Sequence, residues 1–583
     1  MPPPVQVAYK PLNKPEVGDN GYVEPTPGKS EVLKKGSRPF DARPLDSDVR
    51  IDHDVEIVVR DGCRLYVDIY RPTGSEKVPV IISWSPYGKK YSAIDMIFNV
   101  CTWACCLTKD DVSGLEKFEG LDPAWWVNQG YAIAHVDARG AGNSDGDACC
   151  MGAQEAEDAH DVIEGLAKLP WCNGSVGMAG NSYLAIMQWQ AAAQNPPSLK
   201  AIAPWEGSGD IFREQFCRGG WFTMSNFDLI TTLVIKGQHG VEDFAEMYRR
   251  SPQANAYWND KRVDFSKINI PVFITGSDLS QIHTMGAVRG WMELGSDKKW
   301  IKWCGHQEWF ELYSVKESYP ELKYLKGVDN DWEETPRVRW TTLQFDEGKV
   351  KSNIELPDFP VPNTDYRSFY LGDNDALLDS APSSGIKTYN SEDRWSIAKF
   401  RYTFDKHTRI IGMPKAELYM SCDDLDDMVV FVQVRKLDKN GKELSHLQFP
   451  IEKTPVKSVD AMDEKDRSSL TLHNGAMGIL RASQRKIDEK RSIHPQFPFH
   501  PHDEVQKVPK GEVVKLDIGI WCMGVDYEEG QTLQVDILGQ YPGFTEVAAF
   551  SKPRPDSEKN KGQHKIHYGG DYPSKVIIPI VNV

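Results

Sequence analysis

The chain lacks any run of about 18 apolar residues, the length that a membrane-spanning helix requires. Its first 25 residues are rich in proline and polar side chains, and they contain no apolar stretch of the kind found in a secretory signal. A basic face is also lacking: the formal net charge is −16 and the pI is near 5.4. Nucleic acids and anionic membranes need such a face. We therefore expect a cytoplasmic protein whose main partner is neither a nucleic acid nor a membrane.

Metal-binding motifs are absent as well. The eleven cysteines do not show the paired spacing of a zinc site. Their odd number, with no secretory signal, favours reduced thiols over the alternative of a disulfide framework. The acidic stretch "SCDDLDD" (421–427) lacks the glycine-containing spacing of a calcium-binding EF-hand. The sequence thus predicts neither a metal nor a cofactor.

Short apolar runs that end in turns rich in glycine, serine or aspartate dominate the first half of the chain. Examples are "VPVIISWSPYG", "YAIAHVDARGAG", "VGMAGNSY" and "IPVFITGSD". They read as buried parallel strands, and helical patterns such as "AEDAHDVIEGLAKLP" lie between them. This alternation predicts a doubly wound α/β sheet, in which ligands bind at the carboxyl ends of the strands. Before these runs, Asp61-Gly62 between two alternating segments predicts a β-hairpin.

Ser182 lies in one of these turns, within "GMAGNSYLA" (177–185). A serine at a sharp strand-to-helix turn can expose its hydroxyl as a nucleophile, and Gly180 allows the backbones to approach closely. The helix that follows favours a developing anion, and the Tyr183 N–H would point at it. The alternative is a serine that only caps a helix. Leu184 also stands where the usual G-x-S-x-G motif has its second glycine.

A nucleophilic serine needs a base to take its proton and an acid to orient that base. In α/β hydrolases the chain order is Ser, then Asp or Glu, then His. Asp278 ends the strand "PVFITG" and His306 follows the strand "KWIKWCG", so both fit this order. His283 in "QIHTMGA" is the rival base, and Asp278 could instead cap the next helix. A site without a working base also remains open.

A set of sequence blocks extends in order along nearly the whole chain: "DARGAGNSDG" (137–146), "GNSYLA" (180–185), "ITGSD" (274–278), "YLKGVDN" (324–330), "IIGMPKAELYMSCDDLDDMVVFVQVRKLDKNG" (410–441), "GILRASQRK" (478–486) and "GEVVKLDIGIW" (511–521). With these blocks the chain resembles the CocE/NonD hydrolases, which are related to X-Pro dipeptidyl peptidases and cocaine esterase. In their order these blocks are specific for the fold and less specific for the substrate.

The resemblance implies an α/β-hydrolase core, an inserted helical cap and a C-terminal jelly-roll-like β-sandwich. The sequence agrees, because an aromatic-rich segment interrupts the strand–helix rhythm where the cap would lie, and alternating runs after about residue 335 predict antiparallel strands. The predicted organisation is an N-terminal extension (1–50), the hydrolase domain (51–207 and 264–334), the cap (208–263) and the β-sandwich (335–583).

The resemblance also implies a tyrosine hydroxyl in the oxyanion hole, and Tyr87 in "SWSPYGKK" occupies the matching turn. With the backbone N–H of Tyr183 it would stabilise the oxyanion. Three positions depart from the family pattern. Ser277-Asp278 replaces the usual Trp-x-Asp, Cys304 lies where some relatives have histidine, and Ala185 replaces a glycine.

Together these patterns predict a serine hydrolase or acyltransferase with the triad Ser182, His306 and Asp278. The expected substrate is an ester, amide or thioester of a small apolar or aryl molecule, because the predicted cap is rich in aromatic residues. The alternatives are acyl transfer or cyclisation in small-molecule biosynthesis, and a binding protein of the same fold with impaired catalysis. Homo-oligomer formation is left open.

Overall fold

A computed structural model describes residues 5–224, 227–280, 282–314, 324–328, 331–543 and 559–582. Asp329 and Asn330, at the end of the sequence block 324–330, lie outside the described residues. Within the described residues, no helix is both long enough and apolar enough to cross a membrane.

The first part of the chain alternates strands and helices as the sequence predicts. Its strands are β1 (Tyr9–Pro11), β2 (Ser30–Leu33), β3 (Val49–Val58), β4 (Arg64–Arg71), β5 (Val78–Ser85), β6 (Ala132–Asp137), β7 (Cys172–Asn181) and β8 (Leu199–Trp205), and its helices are α1 (Ala93–Val100), α2 (Pro123–Asn128), α3 (Ala153–Ala167) and α4 (Tyr183–Ala192). Strands β3 and β4 pair antiparallel around Asp61-Gly62, which confirms the predicted hairpin.

The segment between residues 208 and 263 contains short helices and short strands, so it is less helical than predicted. Two π-helical turns, Ile211–Phe216 and Ile230–Val234, accompany the strands β9 (Cys217–Arg218), β10 (Trp221–Phe222) and β11 (Gly240–Glu242) and the helices α5 (Phe227–Leu229), α6 (Phe244–Arg250) and α7 (Ala256–Asp260). The rings of Phe216 and Phe244 lie 4.6 Å apart, and Phe244 stacks on Trp258 at 5.8 Å. These three residues are fully buried, so the aromatic residues at the centre of this segment pack its interior.

The core resumes with β12 (Val272–Ser277), α8 (Thr284–Glu293), β13 (Lys299–Cys304) and α9 (Glu308–Ser314). The sheet order is β4, β6, β5, β7, β8, β12, β13, and all neighbours are parallel except the antiparallel pair β4–β6. Helix α3 buries Ala159, Val162, Ile163 and Leu166 against this sheet, as its spacing predicts. The carboxyl ends of β7, β8, β12 and β13 therefore lie side by side.

The C-terminal part consists of β-strands joined by loops and short 3₁₀ turns. Its strands are β14 (Val338–Leu343), β15 (Val350–Leu356), β16 (Asp365–Leu371), β17 (Leu377–Leu378), β18 (Gly385–Asn390), β19 (Ala398–Thr403), β20 (Thr408–Gly412), β21 (Lys415–Cys422), β22 (Val429–Leu437), β23 (His446–Leu447), β24 (Leu472–His473), β25 (Met477–Arg481), β26 (Val514–Gly519), β27 (Met523–Tyr527), β28 (Thr532–Leu538), β29 (Gln563–Tyr568) and β30 (Lys575–Val581). Strand β14 pairs parallel with β13 and antiparallel with β15, so the core sheet continues into this part.

Strands β19, β28, β22 and β25 form a separate four-stranded sheet. The neighbouring pairs β16–β30, β18–β29, β20–β27 and β21–β26 are all antiparallel, which confirms the predicted strand type. Apolar residues from both groups of strands, such as Phe400, Leu418 and Val535, form one buried cluster. The predicted domain boundaries stay predictions.

Candidate active site

Ser182 forms the turn between β7 and α4. Its backbone has φ 55° and ψ −115°, a strained conformation that is typical of the nucleophile in a strand-to-helix elbow. The Ser182 N–H donates to the carbonyls of Trp205 and Glu206 at 3.0 and 3.1 Å, which fixes the turn against the end of β8. Gly180 is required, because its φ is 136° and a Cβ there would lie 2.6 Å from a methyl group of Leu184.

His283 is the histidine that the structure brings to Ser182. Its Nε2 lies 3.3 Å from the Ser182 Oγ, and its side chain is buried. The residue precedes α8 in the loop after β12, where its backbone N–H donates to the Ser280 Oγ at 3.2 Å. The imidazole is therefore held at the nucleophile from the loop after β12, which is separated from β7 by β8 in the sheet.

Glu308 lies on the other side of the imidazole. Its Oε2 is 3.5 Å from the His283 Nδ1, and Glu308 is the first residue of α9. The side chain of Gln307 accepts the backbone N–H groups of Trp309 and Phe310 and so caps this helix. The Gln307 N–H donates in turn to the Gln448 carbonyl of the C-terminal part. Ser182, His283 and Glu308 thus form a continuous Ser–His–Glu chain, with the loose geometry that is common in ligand-free enzymes.

The predicted pair of Asp278 and His306 does not form. The Asp278 Oδ1 accepts the Trp303 indole N–H at 2.6 Å, and its Oδ2 accepts the Gly524 N–H at 2.7 Å. Burial raises the pKa of this carboxyl to about 7. The Nδ1 of His306 lies 3.3 Å from Glu311 Oε1. Asp278 does not reach His306 because its side chain points toward β13 and β27, where both of its oxygens accept hydrogen bonds.

The predicted oxyanion donors do lie beside Ser182. Tyr183 is the first residue of α4, so its N–H has no acceptor within the helix. Its hydroxyl donates to Glu155 Oε2 at 2.8 Å, which turns the ring into the core. Burial raises the pKa of the Tyr87 phenol well above its ordinary value, Glu119 adds to the increase, and hydrogen bonding to Ser182 opposes it. The Tyr87 hydroxyl is therefore a protonated donor near the nucleophile.

Two more carboxyl groups surround the site and were missed by sequence reasoning. Burial and nearby Glu308 raise the pKa of Glu119 to about 8, and this side chain accepts N–H groups from Asn181 and Trp309. Burial, again with Glu308, raises the pKa of Glu206 well above its ordinary value. Position along the chain could have indicated Glu206, and also Glu308, as candidate site residues. Glu206 directly follows β8 and Glu308 closely follows β13, at the edge of the sheet where ligands bind.

Comparison with known proteins places the chain among hydrolases. Residues 61–242 match the family of X-Pro dipeptidyl-peptidases (S15), and residues 330–577 match the X-Pro dipeptidyl-peptidase C-terminal non-catalytic domain. Cocaine esterase from a Rhodococcus strain is 32% identical over 213 residues, which are 35% of this chain and 33% of the esterase. The chain thus spans a third or less of the length of the esterases that match it first.

Solved structures match over a greater length. A CocE/NonD family hydrolase from Staphylococcus aureus is 30% identical with a TM-score of 0.84, and the match covers 98% of this chain and 100% of that one. An aminopeptidase from a marine sediment archaeon shares the fold, with 15% identity, a TM-score of 0.63 and coverage of 91% and 96%. The comparisons agree with an α/β-hydrolase fold followed by a C-terminal domain. The chain belongs to the CocE/NonD family of hydrolases.

Proposed function

We propose that this protein is a serine hydrolase that works through an acyl-enzyme, with Ser182 as nucleophile, His283 as base and Glu308 as the acid that orients it. The observation that carries the proposal is the 3.3 Å contact between Ser182 Oγ and His283 Nε2 at a strained elbow. It replaces the base and acid predicted from the sequence. The nucleophile and the two oxyanion donors remain as predicted.

In the first half of the reaction, the Ser182 Oγ attacks the carbonyl carbon of the substrate while its proton passes to His283 Nε2. The Tyr183 N–H and the Tyr87 hydroxyl stabilise the oxyanion. When the intermediate collapses, the leaving group takes the proton from His283 and the acyl group stays on Ser182. Water then repeats the sequence, which releases a carboxylic acid and regenerates the serine.

Glu308 keeps the imidazole in the productive tautomer. Its carboxylate lies 3.5 Å from His283 Nδ1, and when the site tightens around a substrate it accepts the Nδ1–H and leaves Nε2 free to receive the serine proton. It also stabilises the imidazolium that forms during the transfer. The chain order is therefore Ser, His, Glu, with the base after β12 and the acid after β13. The base and the acid can change places between these two loops because β12 and β13 end at the same edge of the sheet.

For the substrate we propose an ester, amide or thioester with a small apolar or aryl acyl group. Support comes from an aromatic wall beside the nucleophile, where Phe118 lies 5.3 Å from the ring of Tyr87 and 5.3 Å from that of Trp309. Phe118 and Trp309 are only partly buried, unlike the aromatic residues at the centre of the 208–263 segment. This wall could hold an apolar acyl group over Ser182.

We propose that the C-terminal part is a jelly-roll-like sandwich that completes the site from outside the core. Support comes from two contacts: Gly524 donates its N–H to Asp278 at 2.7 Å, and His446 Nε2 lies 3.2 Å from the Gly305 carbonyl. Both contacts hold the loops after β12 and β13, which carry the proposed base and acid. A cytoplasmic location, the absence of a cofactor and a possible homo-oligomer stay predictions.

The proposal is tested with a panel of p-nitrophenyl and alkyl esters of short acyl chains. We expect hydrolysis and, by rapid-quench intact mass spectrometry, a mass increase equal to the acyl group. Ser182→Ala should show neither, with an unchanged circular dichroism spectrum. Ester turnover that is equal in wild type and Ser182→Ala would refute the mechanism. Substrate binding with no turnover and no acyl adduct in wild type would favour the impaired binding protein instead.

A further inference from the structure

Three potential metal ligands converge behind Ser182. They are the carboxylates of Glu206 and Glu308 and the imidazole of His283, and one ligand atom from each lies within 4.8 Å of the other two. The residues follow β8, β12 and β13, which are adjacent parallel strands. In the pairing, Trp205 lies opposite Thr275, and Ser277 lies opposite Cys304. The cluster is thus built on three neighbouring strand ends of a rigid sheet.

The polar atoms of this cluster are buried and poorly satisfied. Both carboxylate oxygens of Glu206, the Nδ1 of His283 and the Oε2 of Glu308 are inaccessible and form no hydrogen bond of good geometry. Glu206 is only 1% exposed, so its two unpaired oxygens lie inside the protein. Within the described part of the chain, no lysine or arginine forms an ion pair with Glu206 or Glu308. Leaving such groups unmatched costs about 1–3 kcal/mol each.

We propose that Glu206, His283 Nδ1 and Glu308 form an inhibitory binding site for a divalent cation, with Zn²⁺ as the ion of choice. One imidazole nitrogen and two carboxylates are typical zinc ligands, and three protein ligands leave a fourth position for water. Zinc–ligand bonds of about 2.0–2.2 Å place neighbouring ligands about 3.4 Å apart. His283 Nδ1 and Glu308 Oε2 already lie 3.5 Å apart, so only the Glu206 carboxylate has to approach, by about 1.4 Å at most. A change in the side-chain torsions of Glu206 can supply this movement.

The consequence for catalysis follows from the two nitrogens of the imidazole. A neutral histidine that gives its Nδ1 lone pair to a metal carries its proton on Nε2. That nitrogen then cannot accept the proton of Ser182, so the bound ion blocks the first step. The ion lies on the far side of His283 from the nucleophile, and it therefore lowers kcat more than it raises KM. The inhibition rests on the proposed function, whereas the binding does not.

Binding is measured on the Ser182→Ala protein, full length and freed of metal, by competition with a chromogenic zinc chelator. We expect one Zn²⁺ per chain in this cluster, and no competition by Mg²⁺, which prefers an all-oxygen octahedral site. Glu206→Gln should weaken this binding about 100-fold, since removal even of a supporting group costs 10–100-fold. Glu308→Gln provides a second test if the first variant is unstable. Glu311→Gln, a turn further along α9, is the matched control and should bind like Ser182→Ala.

X-ray absorption at the zinc edge distinguishes this cluster from the eleven cysteines of the chain. We expect nitrogen and oxygen neighbours near 2.0–2.2 Å and no sulfur near 2.3 Å. Sulfur ligation, or equal zinc affinity in the Glu206→Gln, Glu308→Gln and Glu311→Gln proteins, would overturn the site. Zinc bound as expected without loss of ester turnover would overturn the inhibition alone. Absence of ester turnover in the metal-free wild type would refute the proposed function and leave the binding result standing.

Discussion

Replacement of each of two histidines distinguishes the base proposed from the structure, His283, from the base expected from the sequence, His306. We predict that His283→Ala lowers kcat by about 10⁴-fold, because loss of a triad member costs about that much or more. At about 1.36 kcal/mol for each factor of ten, this is a barrier increase of about 5 kcal/mol. Ser182 would keep its position, since its backbone is held by Trp205 and Glu206 rather than by the imidazole.

His306→Ala serves as the matched variant. His306 contacts Glu311 at 3.3 Å and the ring of Phe310 at 5.8 Å, and neither contact reaches the nucleophile. Loss of contacts that do not reach the reacting atoms leaves the catalytic barrier nearly unchanged, so kcat should change less than about tenfold. Initial rates on a p-nitrophenyl ester, with melting curves to confirm folding, give the comparison. A greater loss in His306→Ala than in His283→Ala would refute the assignment of the base.

Three further predictions concern Glu308, Asp278 and Tyr87. Glu308→Gln should lower kcat by about 10³–10⁴-fold, as removal of a triad acid does. Asp278→Asn should lower kcat less than about tenfold. Equal losses of kcat in the two variants, measured in steady-state assays, would contradict the assignment of Glu308 as the acid. Tyr87→Phe should lower kcat by about 10²–10³-fold with little change in KM, because one oxyanion donor lowers the barrier by about 3–4 kcal/mol. An unchanged kcat would show that Tyr87 is not an oxyanion donor. Burial raises the pKa of Asp278 from 3.8 in the unfolded chain to about 7 in the folded protein, so the folded state binds this proton more tightly. The contribution of Asp278 to the free energy of unfolding therefore decreases as the pH rises from 4 to 7, by about 4 kcal/mol at most. Urea unfolding of wild type and Asp278→Asn should therefore show a smaller loss of stability over that range in the variant, and identical pH dependence would contradict the prediction.

Local sequence patterns were sufficient to predict the turn that carries Ser182. The elbow at Ser182 depends on Gly180 and on the strand–helix junction, both of which are encoded within a few residues. The hairpin at Asp61-Gly62 and the buried face of α3 were equally local, and both were confirmed. Chain order also drew attention to the loops after β12 and β13, which carry the proposed base and acid.

The direction of individual side chains in those loops could not be predicted from order alone. Asp278 is drawn away by the N–H of Gly524, which is 246 residues distant along the chain, and by the indole of Trp303. Glu308 reaches His283 because Gln307 caps α9 while bonded to Gln448 of the C-terminal part. Such contacts between distant segments decide which of several nearby acids and histidines faces the nucleophile.

Covalent labelling of Ser182 tests the central claim most directly. A fluorophosphonate reacts fastest with a serine whose proton is removed by a neighbouring base, and peptide mass mapping identifies the modified residue. The account predicts stoichiometric modification of Ser182 in wild type and in His306→Ala, with labelling slowed by several orders of magnitude in His283→Ala. Labelling of wild type at another residue, or equally fast labelling of Ser182 in His283→Ala, would contradict it.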